Sequence, residues 1–440
     1  MNTPICSFVY KYAKKNNMRL HMPGHKGIGD VESLDITEID GADSLYEANG
    51  IIKESEANAS ELFGSYTLYS TEGSSLAIRA MLYLAMLTNT AKDRPVVLAG
   101  RNAHKVFVSA AALLDFDIEW ISGGESYLSS HTSPEAIEEK LLSMQKKPLA
   151  VYITSPDYLG NVADICAIST VCKRHGVLLL VDNAHGAYLA FTEPSSHPIA
   201  LGADMCADSA HKTLPCFTGA AYLHIADSMP DGIKERAKTA LALFGSTSPS
   251  YLILESLDIV NSYLAKDYKS KLASFQEKLT EMRKNLSSVG FELVGNEPMK
   301  LTIMPKSYGY TGYELAEYLK KNQIIPEFAD PDFLVLMPTP ELTEMQLARL
   351  EVVLLTLKQR APISSLPPTP SVAKKAMSVR DAVLSQAERI NVDDALGRIL
   401  ADITVGCPPA VPIVVSGEVI DEDAIAAFKY YGIEGCSVIK

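Results

Sequence analysis

The chain has 440 residues, 47% hydrophobic and 21% charged, a composition typical of a globular protein with enough apolar residues for two or three domains. Its net charge of −13, without a Lys/Arg-rich run interleaved with aromatic residues, argues against nucleic-acid binding, and no apolar run approaches the ~18 residues of a membrane span. The seven cysteines form no CxxC pair, and the first residues show no signal-peptide pattern. We therefore expect a cytoplasmic protein with reduced thiols and no metal site.

Short apolar runs rich in β-branched residues alternate with helical patterns along the first half of the chain. The predicted helices are 74–87, 133–145 and 164–176, and the predicted strands are 95–100, 149–156, 177–182 and 220–225. Strands and helices that alternate at this spacing predict an α/β fold with a mostly parallel sheet. We assign this large domain to residues 60–245, after an N-terminal arm formed by residues 1–59.

The second half of the chain has a different pattern. A long amphipathic stretch, 250–290, predicts a helix that leads into a small α+β domain over 246–365, with strands in FELVG, KLTIMP and FLVLMP. The proline-rich segment 361–371 predicts a linker. A C-terminal domain, 366–440, would follow, with a helix in SVRDAVLSQAE and the proline-containing segment 406–418.

Lys212 lies in the segment SAHKTLPCFTG, whose neighbours are small or apolar rather than charged. A strand before Ser209 would bring Lys212 to the sheet edge at which Asp182 ends another apolar strand. An amine shielded from water can attack a carbonyl carbon and form a Schiff base, while Ser209 and His211 suit a phosphate. Taken alone, each residue has an alternative interpretation: Lys212 as a strand-end lysine, and Asp182 as an N-cap or turn aspartate.

Two further motifs lie upstream. Gly73, Ser74 and Ser75 stand where a loop enters a buried helix, and a helix N-terminus with hydroxyls binds anions, although plain N-capping by serine is an alternative. His104 follows the predicted strand 95–100, where a histidine stacks on a flat ring or serves as a hydrogen-bonded structural residue. Together these residues suit a ligand that has a phosphate, a flat ring, a ring nitrogen that needs a carboxylate and an aldehyde that needs a lysine. Pyridoxal phosphate has all four.

These motifs identify a family. The sequence resembles the ornithine/lysine/arginine decarboxylases, which are pyridoxal-phosphate enzymes of the aspartate-aminotransferase fold, fold type I, and it resembles their short members. The matching segments are HMPGHKG (21–27), ELFGSYTLYSTEGSSLA (61–77), RNAHK (101–105), SPDYLGNVADI (155–165), VDNAHGAY (181–188), SAHKTLPCFTGAAYLH (209–224), STSPSYLILESLD (246–258), IIPEFADPDFLVLMP (324–338) and PPAVPIVVSGEVI (408–420).

The resemblance implies a role for each matching residue. Lys212 would form the Schiff base, Asp182 would keep the pyridine nitrogen protonated, and His104 would stack on the ring, with His185 near it. The phosphate would be held by Ser74, Ser75, Ser209 and His211, and Ser246 or Thr247 would reach the phosphate of the neighbouring subunit. The family therefore implies a homodimer, or a higher homo-oligomer, with shared active sites, whereas the charge and hydropathy patterns argue against a nucleic-acid or membrane partner.

The sequence departs from the family at several positions. The usual Asn-Gly-Thr-Ser phosphate loop is Glu72-Gly73-Ser74-Ser75, and the usual Asp-Glu-Ala-His is Asp182-Asn183-Ala184-His185. The usual Arg-Asn-Cys-His-Lys-Ser is here Arg101-Asn102-Ala103-His104-Lys105-Val106, and Tyr-Pro-Pro-Gly is Cys407-Pro408-Pro409-Ala410. Glu72 adds a negative charge beside a phosphate, and the changes at Asn183 and Cys407 bear on substrate choice and activity.

The expected reaction is decarboxylation of arginine, lysine or ornithine to an amine of the polyamine type, with Lys212 or His211 returning a proton. The cationic tail of the substrate needs a carboxylate, for which Glu327, Asp330 and Glu418 are candidates beside the alternative of solvated surface acids. Two other functions remain open. One is an aminotransferase or lyase of the same fold, although Arg349 and Arg360 resemble helix-surface residues, and the other is a non-catalytic paralogue.

Overall fold

The computed structural model describes residues 1–15, 17–90, 93–121, 127–129, 132–369, 371, 373–407 and 411–440. The chain forms two compact units. The first unit comprises residues 1–90 and 165–272, and the second comprises residues 91–164 and 273–440. Both units are therefore built from two separate stretches of chain, and the domain boundaries expected from the sequence remain a prediction.

Helices occur throughout the described residues. In chain order they are α1 Pro4–Lys14, α2 Ile51–Phe63, α3 Gly73–Leu87, α4 Lys105–Leu114, α5 Pro134–Ser143, α6 Ile165–His175, α7 Ala210–Thr213, α8 Asp231–Phe244, α9 Tyr251–Leu264, α10 Tyr268–Ser288, α11 Gly312–Lys321, α12 Glu344–Leu355, α13 Val379–Leu384 and α14 Glu422–Tyr430. Short 3-10 helices span Ala187–Phe191, Pro305–Tyr308 and Val392–Asp394.

The strands are short, as expected for buried apolar runs. In chain order they are β1 Tyr66–Ser70, β2 Val96–Gly100, β3 Asp117–Ile121, β4 Ala150–Thr154, β5 Leu178–Asp182, β6 Met205–Asp208, β7 Ala221–Ile225, β8 Glu292–Val294, β9 Leu301–Met304, β10 Phe328–Ala329, β11 Leu334–Leu336, β12 Ala387–Asn391, β13 Thr404–Cys407, β14 Val411–Val415 and β15 Gly435–Ile439.

The fold is α/β with a mostly parallel central sheet, as predicted. In the first unit β5 and β6 are parallel, with Asp182 opposite Ala207, and β7 runs antiparallel to both β6 and β1. In the second unit β2 is parallel to β3 and to β4. The four strands predicted in this part of the sequence are all confirmed within two residues of their expected ends.

Helix α3 is buried, as its apolar composition predicted. Ala77, Ala80, Met81 and Leu82 all have no exposed surface, so the helix fits between other elements of the first unit rather than facing water on one side. Elsewhere capping residues mark helix ends. The Ser133 hydroxyl accepts from the Ala136 amide at the start of α5.

The second unit also contains the small sheet predicted from FELVG, KLTIMP and FLVLMP. It is antiparallel, with strand order β10-β11-β9-β8. Near the C-terminus β12 pairs with β15, and β13 pairs with β14 through an irregular register between Val405 and Gly406. The linker expected at 361–371 carries no helix or strand where it is described.

Two helix predictions differ from the structure. The stretch 250–290 is two helices, because α9 ends at Leu264 and α10 begins at Tyr268. The C-terminal helix expected in SVRDAVLSQAE ends at Leu384, because the chain from Ala387 onward pairs with β15 instead. No helix in the described part of the chain is both long and apolar enough to cross a bilayer.

Candidate active site

Lys212 lies on the short helix α7, which directly follows β6 in the first unit. Its side chain is half-buried, and its Nζ atom lies 3.2 Å from Nε2 of His185, which is 5% exposed. The strand predicted before Ser209 is β6, and the parallel pairing with β5 confirms that the ends of these two strands lie side by side. The lysine therefore lies beside the segment that follows Asp182.

Asp182 is the last residue of β5 and is only 2% exposed. Its Oδ1 atom accepts a hydrogen bond of 3.2 Å from the Ala184 amide, as in the turn alternative considered for this residue. A carboxylate buried to this extent is costly unless a cationic or hydrogen-bonding group faces it. Its burial at the end of a parallel strand suits a partner for a protonated ring nitrogen.

The loop before α3 fits an anion. Gly73 has φ +69°, a left-handed conformation that favours glycine, and its amide donates to the Gly219 carbonyl over 2.8 Å. Ser74 and Ser75 are in the first turn of the helix, where backbone N–H groups have no partner within the helix. The Ser209 hydroxyl donates to Ser74 Oγ over 2.8 Å, so two segments far apart in sequence place their hydroxyls together.

Space and donors at this loop agree with a phosphate. A Cβ atom added at Gly73 would meet only one heavy atom within 4 Å, Cε1 of His211 at 4.0 Å. Hydroxyls, a helix N-terminus and an open glycine are the donor set that phosphate groups use in proteins. The residues present therefore fit the phosphate of the predicted cofactor.

His211 has a defined tautomer. Its Nδ1 atom lies 2.9 Å from the Ala220 carbonyl oxygen, which can only accept, so Nδ1 carries the hydrogen. Burial lowers the pKa of the imidazole, the carbonyl contact opposes this effect, and the nearby Lys212 adds to it. The neutral ring therefore keeps a lone pair on Nε2, which makes His211 a proton acceptor near neutral pH.

The departure at Glu72 has a structural partner. Its Oε1 atom accepts a hydrogen bond of 2.6 Å from the Ser246 amide. Ser246 and Thr247 are exposed in the single chain. Glu72 is thus held at the loop that the family resemblance assigns to the phosphate of a neighbouring subunit.

His104 belongs to the second unit. It is the N-cap of α4, and its Nδ1 atom accepts from the Val106 amide over 3.3 Å. The structural alternative for this histidine, a hydrogen-bonded capping residue, is therefore present, and ring stacking stays a prediction. The departure at Cys407-Pro408-Pro409-Ala410 lies outside the described residues, except for the backbone of Cys407 in β13.

The three candidate substrate carboxylates, all in the second unit, have different surroundings. Glu327 is exposed and accepts from the Tyr158 hydroxyl over 3.2 Å. Asp330 is fully buried, and burial raises its pKa to about 6. Its Oδ1 atom accepts from the Asp332 and Phe333 amides, while its Oδ2 atom has no hydrogen-bond partner among the described residues.

Glu418 is already engaged by a cation. Arg101 donates from both terminal nitrogens to its two carboxylate oxygens over 2.7 and 2.8 Å, and the Val415 amide donates to Oε2 over 2.9 Å. Both side chains are at least nine-tenths buried, and the guanidinium lies 4.8 Å from the centre of the Trp120 ring. This pairing makes Glu418 the weakest of the three candidates for a substrate tail.

One cluster beside the site was missed by sequence reasoning. The cluster consists of three buried side chains that lie together, those of His197, Asp208 and His224. Asp208 directly precedes Ser209 in the chain. A signal existed, because a histidine inside the apolar strand AAYLHI requires a polar partner once it is buried. The sequence did not show where that partner was.

Comparisons with known proteins identify the family of the chain. The profile of the Orn/Lys/Arg decarboxylase major domain matches residues 3–301, and the profile of the family's C-terminal domain matches residues 358–434. The chain is similar to an arginine decarboxylase of Halalkalibacterium halodurans, 30% identical over 97% of this chain and 93% of that protein. It is also similar to the uncharacterized protein YaaO of Bacillus subtilis, 28% identical over 97% of this chain and 93% of that protein.

Solved structures show the same fold. The Francisella novicida lysine decarboxylase LdcF superposes with a TM-score of 0.82 at 17% identity, covering 100% of this chain and 81% of that chain. Lysine decarboxylase A from Pseudomonas aeruginosa gives 0.81 at 18% identity, covering 99% and 80%. The shared fold is that of the fold type I pyridoxal-phosphate enzymes. With both domains of the family matched, the chain belongs to the Orn/Lys/Arg decarboxylase family and is an amino-acid decarboxylase.

Proposed function

We propose that this enzyme is a pyridoxal-phosphate-dependent decarboxylase that converts a basic amino acid, arginine, lysine or ornithine, to the corresponding amine and CO2. The observation that carries the proposal is the grouping, within one compact unit, of Lys212, the buried Asp182 and the paired Ser74 and Ser209 hydroxyls. Each residue type matches one functional group of the cofactor, and their order along the chain matches the family.

The chemistry divides between cofactor and protein. When bound, pyridoxal phosphate supplies an electron sink for the electrons of the broken Cα–carboxylate bond. Asp182 keeps a proton at the ring nitrogen, and Ser74, Ser75, Ser209 and the N-terminus of α3 hold the phosphate. Lys212 would attach the cofactor, and Lys212 or His211 would deliver a proton to Cα once CO2 has left. His185 contacts the lysine amine and controls its orientation.

The substrate is inferred from the relatives and from chemistry. Several similar proteins are arginine decarboxylases, so arginine is the first amino acid to test. Of the three candidate carboxylates, Glu327 is the exposed one and is our first choice for the cationic tail, ahead of Asp330 and Glu418. If Glu327 binds the tail, Glu327→Gln raises KM about 10-fold or more with little change in kcat, since a hydrogen bond to a charged group is worth ~1.5–3 kcal/mol.

The aminotransferase alternative lacks support from the arginines considered for it. Arg349 donates to the Asn322 carbonyl over 2.7 Å, and Arg360 pairs with Glu314 and stacks on Tyr310. Both arginines are exposed, and the contacts that they make are with surface groups of the second unit. A decarboxylase therefore explains the described residues better than an aminotransferase, which would anchor the substrate α-carboxylate with an arginine.

We further propose that the enzyme is a cytoplasmic homodimer in which the partner subunit completes each active site. Exposed apolar side chains follow α1, with Met18, Leu20 and Ile28 each about 85% exposed or more in the single chain. Such residues suit burial against a second copy.

The stacking role of His104 rests on the family resemblance, and His104→Phe would retain more activity than His104→Ala if stacking is its function.

The experiment that tests the proposal is CO2 release from a panel of amino acids, with cofactor added and with Lys212→Ala as the control. We expect release from at least one of arginine, lysine and ornithine, and none from the variant. A purified protein that binds the cofactor yet releases no CO2 from any basic amino acid contradicts the proposal. Keto acid formed only with an added acceptor supports the aminotransferase instead.

A further inference from the structure

Asp208 lies at the centre of a buried polar cluster behind the proposed cofactor site. It is the last residue of β6, has no exposed surface, and directly precedes Ser209. Its Oδ2 atom accepts from Nε2 of His197 over 3.1 Å and from Nε2 of His224 over 3.2 Å. These residues all belong to the first unit, and nothing in the proposed chemistry yet uses them.

The second carboxylate oxygen of Asp208 connects to the neighbouring strand. Asn183 donates from Nδ2 to Oδ1 over 2.7 Å, and the Cys206 thiol also contacts Oδ1 at 3.3 Å. Asn183 directly follows Asp182, and the backbone amide of Asn183 donates to the Ala207 carbonyl over 3.0 Å. Asp208 therefore joins the strand end that carries Asp182 to the strand end that carries Ser209 and Lys212.

The charge state of the cluster follows from its surroundings. Burial acts to raise the pKa of Asp208, but the two imidazoles outweigh it and hold the pKa well below its usual range, so the carboxylate is ionised. Burial lowers the pKa of His224, although Asp208 opposes this. The other ring nitrogen of His224, Nδ1, lies 2.9 Å from the Thr67 hydroxyl, which can donate to it and leave the hydrogen on Nε2.

A metal ion is the competing interpretation, since the three side chains have ligand atoms within 4.8 Å of one another. A metal would need the Nε2 lone pairs of both histidines. The Ile199 amide, however, donates to Nδ1 of His197 over 3.4 Å, which leaves the hydrogen on its Nε2. The contacts therefore favour a carboxylate that receives hydrogen bonds over a metal site.

We propose that Asp208 is a positioning residue that holds Asp182 and Lys212 in register for the cofactor, and that Asn183 is its required partner. This inference rests on the proposed function. It also explains the departure at position 183: the glutamate usual in the family would place a second carboxylate against Asp208, whereas the asparagine amide donates to it.

The test uses three variants in which the link is broken or reversed. Asp208→Ala removes the acceptor, and Asn183→Asp sets two buried carboxylates against each other. The double variant Asn183→Asp/Asp208→Asn restores a donor facing an acceptor, because the amide introduced at position 208 can donate to the carboxylate introduced at position 183 while its oxygen accepts from both histidines. The matched control is Glu56→Gln, which removes another buried carboxylate of the same unit, paired with Lys238 at 2.6 Å.

The readouts are the cofactor dissociation constant, from titration of the visible absorption band, the thermal unfolding midpoint, and zinc content. We expect Asn183→Asp to weaken cofactor binding by about 10-fold or more, given the size of like-charge effects at buried sites. Asp208→Ala should weaken it to a similar extent, because Asn183, His197 and His224 lose their shared acceptor. The double variant should recover to within about 3-fold of wild type, and Glu56→Gln should lower only the unfolding midpoint.

Several results would overturn the inference. These are unchanged cofactor binding in Asn183→Asp, a double variant no better than Asn183→Asp alone, equal weakening by Glu56→Gln, or stoichiometric zinc that Asp208→Ala loses. If Asp208→Ala does not fold, the comparison of Asn183→Asp with the double variant decides. Failure of the proposed function is distinct, because it appears in the wild-type protein as the absence of cofactor binding or of CO2 release.

Discussion

The amine of Lys212 and the imidazole of His185 lie 3.2 Å apart, although 27 residues separate them in sequence. The contact exists because β5 and β6 are parallel neighbours, so the segments that follow their ends leave the sheet side by side. A histidine in this position can accept a proton from the lysine or orient its lone pair.

Replacing His185 should therefore slow the reaction without preventing cofactor binding. We expect His185→Phe, which keeps a flat ring but has no nitrogen, to lower kcat by about 100-fold, within the usual range for loss of an acid–base group. His185→Gln, which keeps a polar end, should retain more activity. Steady-state CO2 release measures both, and equal rates in the two variants would show that the nitrogen contact is not used.

The two serines that share a hydrogen bond should act as a pair. Ser74→Ala or Ser209→Ala should weaken cofactor binding by about 10- to 100-fold, since each would remove a hydrogen bond to a charged group. Because the hydroxyls contact each other at 2.8 Å, the double variant should lose less than the sum of the two. Titration of the visible absorption band gives the three constants, and strict additivity would indicate that the hydroxyls act independently.

The pair formed by Arg101 and Glu418 should stabilise the second unit strongly. Arg101→Met leaves a buried carboxylate without its cation, and breaking such a pair typically costs about 3–5 kcal/mol. We expect a clearly lower thermal unfolding midpoint, and partial recovery in Arg101→Met/Glu418→Gln because the stranded charge is removed.

A surface pair provides the control for this prediction. Arg398 and Glu388 form an ion pair at 2.8 Å in the same unit, but both side chains are about a third exposed or more. Arg398→Met should therefore shift the midpoint little, as expected for exposed pairs worth roughly 0–1 kcal/mol. Similar shifts in the two single variants would mean that burial does not determine the contribution of the Arg101 pair.

Glu255 should make stability depend on pH. Burial, then the charges of Asp258 and Asp35, raises its pKa from 4.5 to about 8, and its Oε1 atom has no hydrogen-bond partner among the described residues. The folded state thus binds a proton that the unfolded state releases above about pH 4.5. Its contribution to stability is full below that pH, falls as pH rises towards 8, and does not change further above it.

Glu255→Gln removes this titration. The unfolding midpoint of the variant, relative to wild type, should rise from about pH 5 to pH 8 and then level off. The exposed Glu61 on the same unit gives the matched substitution, Glu61→Gln, whose midpoint is measured at the same pH values. A constant difference between Glu255→Gln and wild type across this range would contradict the raised pKa.

The parts of the fold that depend on local pattern were predictable. β2, β4, β5 and β7 were identified because short β-branched runs have few alternatives when bounded by turns. The break between Leu264 and Tyr268 was not, since no glycine or proline interrupts the amphipathic pattern there. The strand at Ala387–Asn391 was also missed, because it forms through pairing with residues nearly 50 positions away.

The candidate site shows the same division. Lys212, Asp182, Ser74 and Ser209 were predicted from strand ends and helix starts. The parallel pairing explains why the segments that follow β5 and β6 lie side by side. The cluster around Asp208 was not foreseen, because His197 and His224 reach it from different segments and neither segment indicates a common partner. Contacts between residues distant in sequence can be identified only from a structure, whereas strand ends can be predicted from the sequence.

The pairing of β1 with β7 has a consequence for how the protein is made. Tyr66–Ser70 pairs with Ala221–Ile225, so about 150 residues must leave the ribosome after β1 before its partner exists. At translation rates of about 5–20 residues per second, this strand waits roughly 8–30 s with an unpaired edge. During that interval the nascent chain offers a template for intermolecular pairing, so slow elongation or a missing chaperone should lower soluble yield before any active-site residue is involved.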